Sequence, residues 1–140
     1  MTFVDARTGI ELIDREECLR LLRGEEVGRL AVVVGGHPHI FPVNYVMDGD
    51  AIVFRTEVGT KFDGATRSAV AFEIDRIDPA RRVGWSVVAH GPAEEVTRLD
   101  RLAIRERLES LGLESWVGAP SRLLRIVALG LTGRRLRGRE

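Results

Sequence analysis

The sequence predicts a mainly β (α+β) fold: a six-stranded antiparallel barrel, closed or split, with short flanking helices. Three observations carry this. Six segments rich in β-branched and aromatic residues alternate in polarity with a period of two. Turns built on Gly, Asp and Pro separate most of them by a few residues, too few for the crossover helices of a doubly wound parallel sheet. Helical periodicity is confined to short stretches between strands.

The elements follow in order. Asp14 is a good N-cap for a helix over about Arg15 to Arg23, with Glu17 at capping-box spacing and Gly24 as the stop. Cys18, Leu19, Leu21 and Leu22 form its apolar face, where Cys18 reads as a small core hydrophobe. Val27–Val34 is a strand, Gly35-Gly36 a hairpin turn, and Pro38–Met47 the return. Asp48-Gly49-Asp50 turns again into Ala51–Thr56. Glu57 to Thr60 leads to a short helix, Lys61 to Ser68. Val70–Ile77 turns at Asp78-Pro79 into Val83–Gly91, with Val83, Trp85, Val87 and Ala89 on one face. A helix is expected from about Leu99 to Leu111, a loop from Trp116 to Ser121, and a last strand over Leu123–Leu131. Thr132–Glu140 reads as an Arg-rich tail.

Composition bounds the function. A chain of 140 residues with 44% hydrophobic and 30% charged residues has the size and make-up of one folded domain. Its net charge of zero provides no global field toward nucleic acid or an anionic membrane, so neither is an expected partner. Leu30 to Val34, the longest apolar run, is too short to span a bilayer. The first residues, with Asp5, Arg7 and Glu11, lack the apolar stretch of a signal peptide. One cysteine excludes an internal disulfide and a cysteine metal cluster. A cytoplasmic protein is the expectation.

Nucleotide-loop, nucleophile-elbow and zinc-helix motifs are all missing. His37 and His39 straddle Pro38 on one face of a strand start and read as a solvated pair, so no metal is expected. The informative segment is Phe54-Arg55-Thr56 through Gly59-Thr60-Lys61, where a strand passes through a turn into a helix start. Lys61 is the only lysine among 21 basic residues. A guanidinium, an ammonium and the hydroxyls of Thr56 and Thr60 near unpaired helix N–H groups would make a phosphate pocket. The same residues also read as a helix cap beside two solvated basic side chains, and both readings stand. Upstream, Pro42 has no N–H to give a ladder and marks an edge, a bulge or a ligand-facing stretch.

Pro42-Val43-Asn44-Tyr45, Phe54-Arg55-Thr56, Gly59-Thr60-Lys61, Val70 to Asp75, Gly84-Trp85-Ser86-Val87-Val88 with Gly91, and the closing Leu131-Thr132-Gly133-Arg134-Arg135 together resemble the pyridoxamine 5′-phosphate oxidase-like FMN-binding split-barrel family. The likeness runs from about Glu11 to Arg135. It implies a single six-stranded antiparallel split β-barrel domain over residues 1–140, and a homodimer with FMN in the subunit interface. By motif position Arg55, Thr56, Thr60 and Lys61 would hold the phosphate, with Phe54 beside them in the motif. Pro42, Val43 and Asn44 would line the ring edge through their backbone, and Trp85 and Ser86 would reach the flavin from the partner subunit. Trp85 reads equally as a core tryptophan. Members that make pyridoxal phosphate carry a C-terminal Arg- and His-containing motif. This chain has no histidine after His90, so pyridoxamine phosphate is not the expected substrate. The implied function is an FMN-dependent oxidoreductase acting on a small organic molecule. Two alternatives share the fold: a deazaflavin-dependent reductase using Arg134, Arg135 and Arg137 as a basic groove, and a non-catalytic flavin or haem binder.

Overall fold

The structure, a computed structural model, describes residues 3–5, 7–57, 69–96 and 121–138. Along them run β1 (Phe3–Val4), β2 (Ile10–Ile13), α1 (Arg15–Arg23), β3 (Val27–Val34), β4 (His37–Asp48), β5 (Ala51–Glu57), β6 (Ala69–Asp78), β7 (Val83–Glu95), β8 (Ser121–Val127) and β9 (Gly130–Leu136). Six of the strands close a barrel in the order β7-β6-β3-β4-β5-β8, with β8 returning to β7. This is the expected six-stranded antiparallel split barrel. Outside it, β9 pairs with β7 and carries β2 and β1 beyond.

Two primed-type turns set the registers of the hairpins. Gly35 and Gly36 both have positive φ, 59° and 80°, between β3 and β4, and Gly49 has φ 59° between β4 and β5. L-residues rarely adopt that conformation, so glycine is required. Inward positions alternate as the sequence predicts. Leu30 and Val32, Tyr45 and Met47, Ile52 and Phe54, Phe72 and Ile74, and Val87 and Ala89 meet in one core. Gly28 makes room for the Phe72 ring, which would lie 2.2 Å from a Cβ there. That ring meets Tyr45 edge-on at 4.9 Å, and the Tyr45 hydroxyl donates to the Leu22 carbonyl of α1.

α1 is capped as expected: the Asp14 carboxylate accepts from the Glu17 N–H at 2.9 Å. Gly24 ends it in the right-handed region, so its role does not depend on a left-handed turn. The helix buries Cys18, Leu19 and Leu22, and burial raises the Cys18 thiol pKa, as befits an inert core group. Close docking on β9 depends on Gly133, where a Cβ would stand 2.6 Å from the Cys18 Sγ and 2.9 Å from the Ile13 Cβ.

Three expectations need correction. The segment Leu123–Leu131 is not one strand: β8 ends at Val127, and the chain turns at Ala128-Leu129, where the Leu129 N–H donates to the Val127 carbonyl. The Arg-rich tail is β9, whose alternating polar residues lie between β2 and β7. β7 runs on to Glu95 because it changes partner, from β9 at Gly84–His90 to β8 at Ala93–Glu95. Gly91 sits at the changeover, where a Cβ would fall 1.8 Å from the Val127 carbonyl oxygen. β1 and β2 were not anticipated, being too short to show a period. The helices expected over Lys61–Ser68 and Leu99–Leu111, and the loop from Trp116 up to β8, lie outside the described residues.

Gly133→Ala is expected to destabilise the protein by about 1–3 kcal/mol in chemical denaturation, the usual cost of forcing an extra methyl into a filled contact. Adding Cys18→Ala should recover part of that loss. Strictly additive losses would show that this helix–strand contact does not set the requirement for glycine.

Candidate functional site

β4 carries two partners in succession. Its first part, from His37 to Asn44, pairs with β3, while β5 pairs only with Tyr45 to Asp48. The Tyr45 N–H donates to the Glu26 carbonyl at 3.0 Å, so odd-numbered residues of β4 direct their backbone groups at β3 and even-numbered ones away from it. Pro42 is even. Its missing N–H therefore costs the β3–β4 ladder nothing and faces the side where no strand among the described residues pairs with β4 before Tyr45. Pro42, Val43 and Asn44 thus form one side of a fork between β4 and β5.

Arg55 forms the other side. The register Tyr45↔Phe54, carried one step on, sets Arg55 across from Asn44 with both facing outward. Phe54 turns inward and is fully buried, so it anchors β5 in the core beneath this face. The Arg55 Nε is shut off from solvent and has no hydrogen-bond partner among the described residues. A buried guanidinium N–H without an acceptor is costly, and an anionic oxygen is the group that offsets the cost. Thr56 follows on β5, in register with Arg122 of β8. Thr60 and Lys61 lie outside the described residues.

Trp85 and Ser86 lie elsewhere. On β7, Trp85 pairs with Arg76 and Arg135, and Ser86 with Asp75 and Arg134. Along the sheet, β6 and β3 lie between their strand and β4. Trp85 packs partly against the core and lines a cleft of about 500 Å³ with Ile77, Val83, Leu136, Arg76 and Arg135 among others. Beside the cleft, Glu11 is only 5% exposed and draws in Arg137 at 2.8 Å and Arg135 at 3.3 Å. Arg134 lies on the opposite face of β9 from these two. The three arginines therefore do not line one basic groove.

Two features escaped the sequence reading. On the outer face between β4 and β7, Arg29 pairs in register with both Pro42 and Glu73, and its guanidinium meets Glu73 at 3.1 Å and Asp75 at 3.6 Å. Carboxylates two apart on a strand share a face, which was the available signal. Around them the face is apolar, with Val33 62% and Ile40 70% exposed. The second feature is Arg125 of β8, opposite Val53, whose Nε is likewise buried and unpartnered among the described residues. Among those residues there is no group of His, Cys, Asp and Glu that could hold a metal, and no helix is long and apolar enough to cross a membrane. His39 stacks on Phe41 with ring centroids 6.1 Å apart.

The model of the family described as pyridoxamine 5′-phosphate oxidase matches residues 14–139. The chain belongs to that family. An uncharacterized protein of Mycobacterium tuberculosis is 39% identical over 118 residues, which cover 80% of this chain and 74% of that one. An FAD binding protein from Mycobacterium smegmatis has the same fold, with a TM-score of 0.73 and 33% identity, over 90% of this chain and 97% of that one. A conserved protein of unknown function from Corynebacterium diphtheriae has a TM-score of 0.75 and 33% identity, over 91% and 98% of the two chains. Flavin binding therefore occurs among the relatives of this member of the pyridoxamine 5′-phosphate oxidase family.

Burial lifts the Glu73 carboxyl to about 7, helped by the hydrogen bond and charge of Asp75 and opposed by Arg29. Below the ordinary value of 4.5 the group is protonated in folded and unfolded chains alike, and its contribution to stability is fully present. As pH rises from there to about 7, the unfolded chain releases a proton that the folded chain keeps, so stability falls. Glu73→Gln, neutral throughout, is expected to flatten that fall in melting temperature. Parallel curves for variant and parent would assign the pH dependence to other groups.

Proposed function

We propose that this chain is a flavin-binding oxidoreductase of the pyridoxamine 5′-phosphate oxidase family, with FMN held at the β4–β5 fork and its site completed by a second copy of the chain. The observation that carries the reading is Arg55: a buried guanidinium nitrogen with no acceptor among the described residues, across from the Pro42–Asn44 edge that β5 leaves unpaired. Those features fit a phosphate ester bearing a flat polar ring. Arg55 would hold the phosphate with Thr56, Thr60 and Lys61. The backbone of Pro42, Val43 and Asn44 would take the ring edge, and Phe54 keeps β5 in place below. When bound, the flavin supplies transfer of hydride or electrons to or from a small organic substrate. The residues of this chain bind it, orient it and exclude water from it.

Trp85 and Ser86, on β7 rather than at the fork of their own chain, would serve the site of the partner in a homodimer. The exposed Val33 and Ile40 on the outer face support an apolar contact between copies. The reading also keeps the protein in the cytoplasm, as its composition suggests. FAD is the second reading, favoured by the FAD binding relative from Mycobacterium smegmatis. FAD contains the FMN phosphate, so the role of Arg55 is the same. Mass spectrometry of the released chromophore separates the two.

Arg55→Ala combined with Lys61→Ala is expected to weaken flavin binding at least tenfold in fluorescence titration, since charge-assisted phosphate contacts are worth about 1.5–3 kcal/mol each. Unchanged affinity would place the phosphate elsewhere. Mixing Arg55→Ala chains with Trp85→Ala chains is expected to restore binding at one site per mixed dimer. A monomer that keeps full affinity would rule out the shared site.

A further inference from the structure

Like Arg55, one further arginine among the described residues, Arg125, has a buried, unpartnered Nε. β5 and β8 run side by side with Arg55 opposite Leu123 and Val53 opposite Arg125, so Arg55 and Arg125 are diagonal neighbours on the outer face. Such neighbours stand about 7–8 Å apart between Cα atoms, within reach of a common partner for side chains this long. Between and beside them, Val53, Val96 and Leu123 form a small apolar cluster of their own. Against this dry floor, both guanidinium groups have a buried Nε without an acceptor among the described residues. Arg125 reaches Glu94 at 3.3 Å through its terminal nitrogen, and Glu94 is itself about half exposed. Among the described residues, one peripheral carboxylate thus meets these two partly desolvated cations, and the Nε of neither is used.

We propose that Arg125 is a second guanidinium of the cofactor's anion site, binding the flavin phosphate together with Arg55 from the adjacent strand. The inference rests on the flavin reading above and deepens it by naming a residue that the family motifs do not mark. A phosphate offers several acceptor oxygens and suits two planar donors approaching from neighbouring strands. Glu94 then positions Arg125 from the side, holding its terminal nitrogen while leaving Nε to the ligand. Arginine is needed at both places, because lysine has the charge but no Nε donor.

The test is affinity for FMN and for riboflavin, which has the ring but no phosphate, in the wild-type protein, Arg55→Met and Arg125→Met. Arg125→Met is expected to weaken FMN binding about tenfold and to leave riboflavin binding within about twofold. Should that variant fold poorly, Arg125→Lys serves, with a several-fold loss expected for FMN alone. FMN affinity lowered by Arg55→Met but untouched by the Arg125 variants would overturn this inference and leave the fork reading standing. Equal losses for FMN and riboflavin would also overturn it, since Arg125 would then act through packing. Wild-type protein that binds riboflavin as tightly as FMN would overturn the fork reading itself.

Discussion

The offset between the two partners of β4 is the constraint on which the rest of the structure depends. A strand of twelve residues is held by β3 along its first part and by β5 only at its end. The barrel closes, yet before Tyr45 one side of the strand has no ladder among the described residues. Pro42 suits the arrangement chemically. Its nitrogen faces the side away from β3 and has no hydrogen to give, so it loses no bond on the side that β5 leaves before Tyr45.

From that offset the distribution of charge follows. Where β5 leaves β4 it stays with β8, and the outer side of that pair carries Arg55 and Arg125 on apolar ground. The other arginines described here are mostly answered by carboxylates. Arg135 and Arg137 meet Glu11, Arg76 meets Glu25, and Arg29 meets Glu73 and Asp75. A chain with as many acids as bases has no long-range field to offer a ligand, so any recognition of an anion must be local. At the fork, the Arg55 Nε has no partner among the described residues.

The barrel was legible because its strands alternate and its first two hairpins turn at glycines with positive φ. Leu30, Phe72, Ile74 and Val87 face inward as their period requires. The end of the chain was not legible. Arg134, Arg135 and Arg137 look like a solvated tail, since nothing in their spacing reveals that Glu11, over a hundred residues away, neutralises two of them. Leu123 to Leu131 reads as one apolar run, because a change of direction at Ala128-Leu129 needs neither Gly nor Pro at the bend. Of the site, Arg55 and the Pro42–Asn44 edge could be picked out by residue type. Arg125 could not, because its place beside Arg55 depends on which strand closes the barrel. The sequence likewise offered Trp85 two roles, core residue and partner contact, and it packs partly against the core while lining an open cleft.

The division of β7 between two partners also bears on the order of assembly. β6 and β7 form a local hairpin, but β8 and β9 both lie further along the chain. During synthesis β7 therefore emerges with an unpaired edge from Gly84 onward, which must wait for two later segments. Exposed edges of this kind recruit other chains. His90, Glu94 and Glu95 place ionisable side chains along this strand. Gly91, without a side chain, keeps open the space that the Val127 backbone comes to occupy. Charged side chains on such an edge discourage the recruitment of other chains until its own partners arrive.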